Sequence, residues 1–277
     1  PYTFQVRKKE CLDLPAKRYE EEFIEMPDKQ WEYYQYIADK MLMEIDEYEP
    51  ETIYRLFAAM QAVISGKYLE FTKDERGVEH FRMGEDIFLN PTDNPRIKRL
   101  LEILPDEKCI IFCNFVHEID VITEILGDDA VRFDGTVTIR NRNASLKEFE
   151  NEKKYLVANR SCAGYSLNLQ FCKNIIYYSN NWNLATRLQS EDRVHRLGQQ
   201  SDVSITDIIL YSSLDSRIHD SLQRKENLME EVKNEIEHVQ KNPCSKISEI
   251  LYVGRYKKKM KVIDMDDLKE GYNAEDL

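Results

Sequence analysis

Loop-forming residues are scarce: 9 Gly and 8 Pro among 277 residues are too few for a linker, a collagen-like repeat or a low-complexity tail. Long apolar runs are missing as well. None approaches the about 20 residues that a membrane-spanning helix needs, so no membrane partner is expected. The first residues, Pro1-Tyr2-Thr3-Phe4, show neither an initiator Met nor a signal-peptide pattern, as expected of a piece cut from a longer intracellular polypeptide. Cysteines are few and scattered. Cys11, Cys109, Cys113, Cys162, Cys172 and Cys244 form no C-x-x-C pair with His at zinc spacing, which points to reduced thiols and no metal. Cys109 and Cys113 flank an apolar run, where a thiol behaves as a small hydrophobe. Positive charge is in deficit. A formal net charge of −12 argues against indiscriminate coating of nucleic acid and leaves room only for a local basic track.

What is present is a globular composition, 42% hydrophobic and 32% charged, in a chain long enough to bury a core. The first ninety residues read mainly as helix. Met26-Pro27-Asp28 opens one helix, with Tyr34, Ile37, Met41 and Ile45 at helical spacing. A second helix puts Ile53, Leu56, Phe57, Met60 and Ile64 on one side. Residues 68–82 look like a hairpin with a polar turn. Asn90-Pro91-Thr92-Asp93-Asn94-Pro95 breaks the pattern and marks a boundary. Beyond it, apolar runs of strand length (109–113, 155–158, 175–178 and 203–210) alternate with helical patterns. That alternation implies an α/β fold: a parallel sheet with helices on both faces. A long amphipathic helix should then carry Leu214, Ile218, Leu222, Met229, Val232, Ile236 and Val239. The expected division is 1–93, a linking segment and a helical protrusion with a hairpin; 94–211, the sheet domain; and 212–277, a bracing helix and a charged tail. The basic cluster Arg255, Lys257, Lys258, Lys259 and Lys261 is a solvated tail with no assigned role.

One segment stands out: Gln189-Ser190-Glu191-Asp192-Arg193-Val194-His195-Arg196-Leu197-Gly198-Gln199. On a continuous helix Gln189, Arg193 and Arg196 would share one face. Two guanidiniums beneath an amide suit a polyanion such as a phosphoryl group in transfer. For an isolated R-x-x-R, a solvated basic face paired with Glu191 and Asp192 would be the favoured reading. The spacing Q-x-x-x-R-x-x-R-x-G-Q, with every fixed letter present, resembles the last conserved motif of superfamily-2 helicases of the Swi/Snf type. Four further blocks lie at the distances that family would require. Ser161-Cys162-Ala163-Gly164-Tyr165-Ser166-Leu167-Asn168-Leu169 follows a strand. Its small residues allow close backbone approach to phosphate, though they equally suit a tight turn with no ligand. The block is similar to the family's A-G-G-x-G-x-N-L motif, with Ala163 and Ser166 in place of glycines. Asn181-Trp182-Asn183 is similar to its D-W-N-P segment, with Ser179 and Leu184 as departures; Trp182 could also be a packing residue. Lys108 to Phe115 and Phe133-Asp134-Gly135-Thr136 look like the two strand ends that open the second lobe.

The resemblance implies a RecA-like second motor lobe of an ATP-dependent DNA helicase or translocase, similar to small phage-encoded members. Arg196 would be the arginine finger and Arg193 its support. Gln189, Gly164 and Asn168 would face ATP, while Asn114, Ser161, Cys162 and Trp182 would face double-stranded DNA. No G-x-x-x-x-G-K-[ST] and no D-E-x-H box occurs in the sequence. ATP and its Mg²⁺ are therefore expected to be held mainly by an N-terminal RecA-like lobe of the same polypeptide, leaving this piece inactive alone. Two alternatives stay open: a non-catalytic DNA- or protein-binding module that keeps the fold, and the lobe of an RNA helicase.

Overall fold

The computed structural model describes residues 14–43, 50–75, 79–160 and 168–225, together with Leu228, Val232 and Asn234. These fall into two compact units. One takes residues 1–24 and 88–209, the other residues 25–87 and 210–277.

The first unit is the α/β one. In chain order it holds β1 (Lys17–Ile24), α3 (Pro95–Ile103), β4 (Cys109–Cys113), α4 (Val116–Leu126), β5 (Ala130–Phe133), α5 (Ile139–Asn151), β6 (Tyr155–Asn159), β7 (Asn174–Tyr177), α6 (Leu184–Val194) and β8 (Val203–Leu210). The strands form one sheet in the order β1-β8-β7-β4-β6-β5. The pairs β4/β6, β4/β7, β5/β6 and β7/β8 are all parallel, with Ile111 opposite both Val157 and Ile176.

Alternation along each strand decides which helix covers which face. Cys109, Ile111 and Cys113 join Val157, Ile176 and Tyr178 in a core closed by Ile97 and Leu100 of α3 and Ile119 and Ile122 of α4. Ile110 and Phe112 point the other way, into a core with Leu156, Tyr177, Phe149 of α5 and Val194 of α6. The four apolar runs are therefore strands buried on both sides, as continuous hydrophobicity demands.

Helix starts follow local chemistry. Asn94 Oδ1 accepts from Arg96 N at 3.0 Å, with Pro95 in the first turn, so the predicted breaker is the cap of α3. Asn183 Oδ1 caps α6 through Thr186 N at 3.1 Å. One strand was not expected. β1 lies in a stretch read as helical, and its start is tied to β8 by Val203 N donating to Ala16 O at 2.9 Å.

The second unit contains α1 (Asp28–Met43), α2 (Pro50–Ile64), the antiparallel hairpin of β2 (Lys67–Lys73) and β3 (Glu79–Asp86), and α7 (Leu214–Arg224). Tyr34, Ile37 and Met41 of α1 and all five expected residues of α2 are buried; Ile45 lies outside the described residues. Gln30 Nε2 donates to Val63 O and Ile64 O at 2.9 and 3.1 Å, satisfying carbonyls left open at the end of α2. The long C-terminal helix needs correction. It stops at Arg224, where Lys225 turns left-handed at φ 59°. The apolar spacing lapses there, since Lys225 and Glu226 fall where Leu222 would need a successor. Leu228 and Val232 are helical and buried further on, whereas Met229, Ile236, Val239 and the basic cluster lie outside the described residues.

Candidate functional site

In an open parallel sheet, ligands gather at the carboxyl ends of the strands, near the point where strand order reverses. Here β4 is that point, since the chain steps from it toward β5 and β6 on one side and to β7 and β8 on the other. The residues just beyond these ends are polar although most are buried: Arg160, Ser179 and Asn180. Asn114, just after β4, is half-buried. Its backbone N–H donates to Ser179 Oγ at 2.7 Å and Glu118 Oε2 at 3.1 Å, and Ser179 Oγ donates to the same carboxylate at 2.6 Å. Glu118 also accepts from Phe115 N at 3.1 Å, so one carboxylate fixes the end of β4 and the start of α4.

A chain of hydrogen bonds runs from there to α6. Arg160 Nη2 is 3.5 Å from Asn114 Oδ1, and Arg160 Nη1 donates to Asn180 Oδ1 at 2.8 Å. Arg187 of α6 shares that acceptor at 2.9 Å. It also grips Asp207 of β8 with both terminal nitrogens, at 2.5 and 2.8 Å, and Glu191 one turn on at 2.8 Å. Its guanidinium lies 3.4 Å from the Tyr177 ring centroid. Ser190 Oγ gives its proton to Arg187 O at 2.7 Å, so Tyr177 must be the donor in its 2.6 Å bond to Ser190. Glu191 Oε2 accepts from Lys17 Nζ at 2.8 Å and Tyr19 OH at 2.9 Å, both on β1.

The ionisations follow from this packing. Burial pushes the Arg160 guanidinium down to about 10, so it stays charged at neutral pH. Burial also works against the charged form of Arg187, but Asp207 and Glu191 reverse this and raise it. For Glu191, burial raises and the cations Arg187 and Lys17 lower; the net is a carboxyl held below its ordinary value. Each charge is held by partners of opposite sign or by a carbonyl, as a charge inside a protein must be.

The segment singled out by sequence lies on this foundation, with one correction. Gln189 and Arg193 are on α6, exposed and half-buried respectively, but the helix ends at Val194 and Arg196 is not on it. At His195 (φ −87°, ψ 78°) the backbone makes an inverse γ-turn, closed by Arg196 N donating to Val194 O at 3.1 Å. Arg196 therefore sits in an exposed turn instead of on a shared helix face. Glu191 is buried and bonded to Arg187, Lys17 and Tyr19, which does not fit the alternative of a solvated basic face paired with it.

The G-Q ending has a structural task. Gln199 Nε2 donates to Cys172 O at 3.0 Å, and Gly198 takes φ +99° with Gln170 close above it. Asn168 is exposed, and its neighbour Leu169 donates from N to Arg193 O at 3.2 Å, so the structure brings Asn168 beside the arginine segment. Trp182 is half-buried just ahead of α6. Ser161, Cys162 and Gly164 lie outside the described residues. Asp134 is buried, accepting from Thr136 N and Oγ1 at 2.6 Å and from Arg132, which makes the predicted turn after β5 a locked one. Sequence reasoning missed Lys17, Tyr19, Arg160, Arg187 and Asp207. The available signals were the i,i+4 spacing of Arg187 and Glu191 and a lone Asp within the apolar run of β8.

A two-layered parallel sheet with its polar residues gathered at one end, and an arginine-bearing turn beside them, defines a RecA-like α/β lobe. Residues 94–198 match the helicase conserved C-terminal domain. Proteins similar to this chain include ATP-dependent helicases of Mycoplasma genitalium and Saccharomyces cerevisiae. An uncharacterized ATP-dependent helicase of Mycoplasma genitalium is 25% identical over 236 residues, covering 83% of this chain and 22% of the relative. The Sulfolobus solfataricus SWI2/SNF2 ATPase core in complex with dsDNA is similar in structure at a TM-score of 0.61 and 19% identity, over 86% of this chain and 50% of that one. The C-terminal part of the Fun30 ATPase domain gives 0.58 and 17%, over 75% of this chain and 89% of that one. These structural likenesses define the fold. The chain spans 12% to 22% of the length of the curated relatives it matches first.

Proposed function

We propose that the chain is the C-terminal motor lobe of an ATP-dependent translocase on double-stranded DNA, acting inside the cell, and that Arg193 and Arg196 reach the γ-phosphate of ATP held by an N-terminal lobe. One observation carries this. Of the three arginines between residues 187 and 196, Arg187 is buried and spent on carboxylates, while Arg193 is half-buried and Arg196 exposed. A guanidinium locked between carboxylates cannot receive a phosphate; one at the surface of an anchored turn can. Gln189, exposed one turn before Arg193, and Asn168 beside it fit contacts to the nucleotide, and Gly164 is assigned there by resemblance. Asn114, Ser161, Cys162 and Trp182 are assigned to the DNA path. The dsDNA held by the archaeal relative's structure supports that choice over RNA.

Among the described residues no group of three or more His, Cys, Asp or Glu could hold a metal ion. The Mg²⁺ that accompanies ATP is assigned, by resemblance, mainly to the N-terminal lobe. This lobe's own part is to close on the nucleotide, bring its guanidiniums to the transferring phosphoryl group, and move along the DNA backbone when the cleft reopens. The test is Arg196→Ala in the full-length polypeptide. Loss of an arginine finger costs about 10³ in turnover or more, so DNA-stimulated ATPase should nearly vanish; near-normal turnover would remove the assignment. Measuring the stimulation by duplex DNA and by RNA at matched salt separates the two nucleic acids.

A further inference from the structure

The arginine turn is held by a segment that lies 180 positions away in the sequence. Residues 15–19, at the far end of the sequence from it, touch it at three levels. Pro15 O accepts from His195 Nε2 at 2.7 Å, which requires the proton on Nε2, and His195 is the hinge of the γ-turn between Arg193 and Arg196. Lys17 Nζ reaches Glu191 at 2.8 Å and Asp192 at 3.9 Å. Tyr19 OH donates to Glu191 at 2.9 Å. Ala16 N and the Arg18 guanidinium hold Asp202 just before β8, at 3.0 and 2.7 Å, so the same five residues also clamp the far side of the loop that follows the turn.

We infer that residues 15–19 are a positioning element for Arg193 and Arg196, setting where the turn stands relative to the sheet; this rests on the finger assignment proposed above. The geometry favours a positioning role over a merely adhesive one. The contacts fall on α6, on the hinge residue and on the loop beyond, three points that together fix the orientation of a short segment. Glu191 is the node. Its two oxygens are divided, Oε1 to Arg187 and so to β8, Oε2 to Lys17 and Tyr19 on β1. A displacement of the chain at Pro15 is thus delivered directly to the residue between the two arginines. Lys17 and Tyr19 are positioning residues, acting through Glu191.

The experiment compares ATPase kinetics of four variants in the full-length polypeptide with duplex DNA saturating. Lys17→Met keeps the aliphatic stem and removes the charge; Tyr19→Phe removes one donor; Lys17→Arg restores a cation; Glu20→Ala changes an exposed residue of the same strand outside the element. Displacing a catalytic group by about 1 Å can cost on the order of 10²-fold. We expect kcat to fall about 10- to 100-fold in Lys17→Met and less in Tyr19→Phe, with KM for ATP and DNA affinity unchanged. Lys17→Arg should recover most of the loss, and Glu20→Ala should be near wild type. Normal kcat in both Lys17→Met and Tyr19→Phe, alongside an inactive Arg196→Ala, overturns the positioning role and leaves the finger assignment standing. An active Arg196→Ala overturns both. If Lys17→Met does not fold, the milder Tyr19→Phe decides by the same criterion.

Discussion

Arg187→Met would test whether the buried ionic node, and not apolar packing alone, holds α6 on the sheet. The substitution keeps the stem length and deletes four hydrogen bonds, to Glu191, Asn180 and twice to Asp207. It leaves two buried carboxylates short of the cation they share, since Glu191 and Asp207 each have only 2% of their surface exposed. Removing one partner of a buried ion pair costs about 3–5 kcal/mol. At about 2–4 °C per kcal/mol for a domain of this size, the melting temperature should drop by roughly 6–20 °C. The sequence has 2 Trp, so in a Trp31→Phe background the emission of Trp182, just ahead of α6, reports this unit alone. Urea titration should then show a lower midpoint at an unchanged slope. Adding Asp207→Asn should return part of the loss, because it neutralises one of the stranded carboxylates. A loss under about 1 kcal/mol, the range of an exposed pair, would refute the reasoning.

Two further outcomes follow from the same region. Glu191 titrates below its ordinary value of 4.5 in the folded chain, so the stability it confers is complete above pH about 4.5 and is lost as pH falls through the lower folded value. Acid unfolding followed by circular dichroism should therefore be less steep in Lys17→Met; an identical acid limb would count against the pairing. Gly198→Ala should cost about 1–2 kcal/mol through its φ of +99°, while the 2.8 Å approach of Gln170 is to a flexible side chain that can move. Gln170→Ala in the same chain should then fail to rescue the urea midpoint, and a full rescue would place the cost in the contact instead.

What could be read from the sequence was whatever carries a period or a spacing. The four apolar strands, the capped start of α3, the hairpin and the helicase motif each repeat a pattern that only one local structure satisfies. β1 escaped because its sequence, KRYEEEFI, is that of a polar edge strand, with four consecutive exposed residues and no apolar alternation to report. The node of Arg187, Glu191 and Asp207 escaped for a different reason. A charged residue reads as solvated until its partner is known, and Asp207 stands 20 residues from Arg187. The break between Arg193 and Arg196 was invisible because His195 is an unremarkable residue for a helix. Only its tie to Pro15, 180 positions away, shows why the chain turns there.

That distance bears on how the protein is made. The first strand of the sheet emerges from the ribosome long before the last, since β1 ends at Ile24 and its neighbour β8 begins only at Val203. At about 5–20 residues per second, β1 waits on the order of ten seconds or longer before its place exists. The inner strands can assemble during that interval, but the border of the sheet cannot. The turn bearing Arg196 is thus among the last parts of the lobe to be fixed, after translation has passed residue 203.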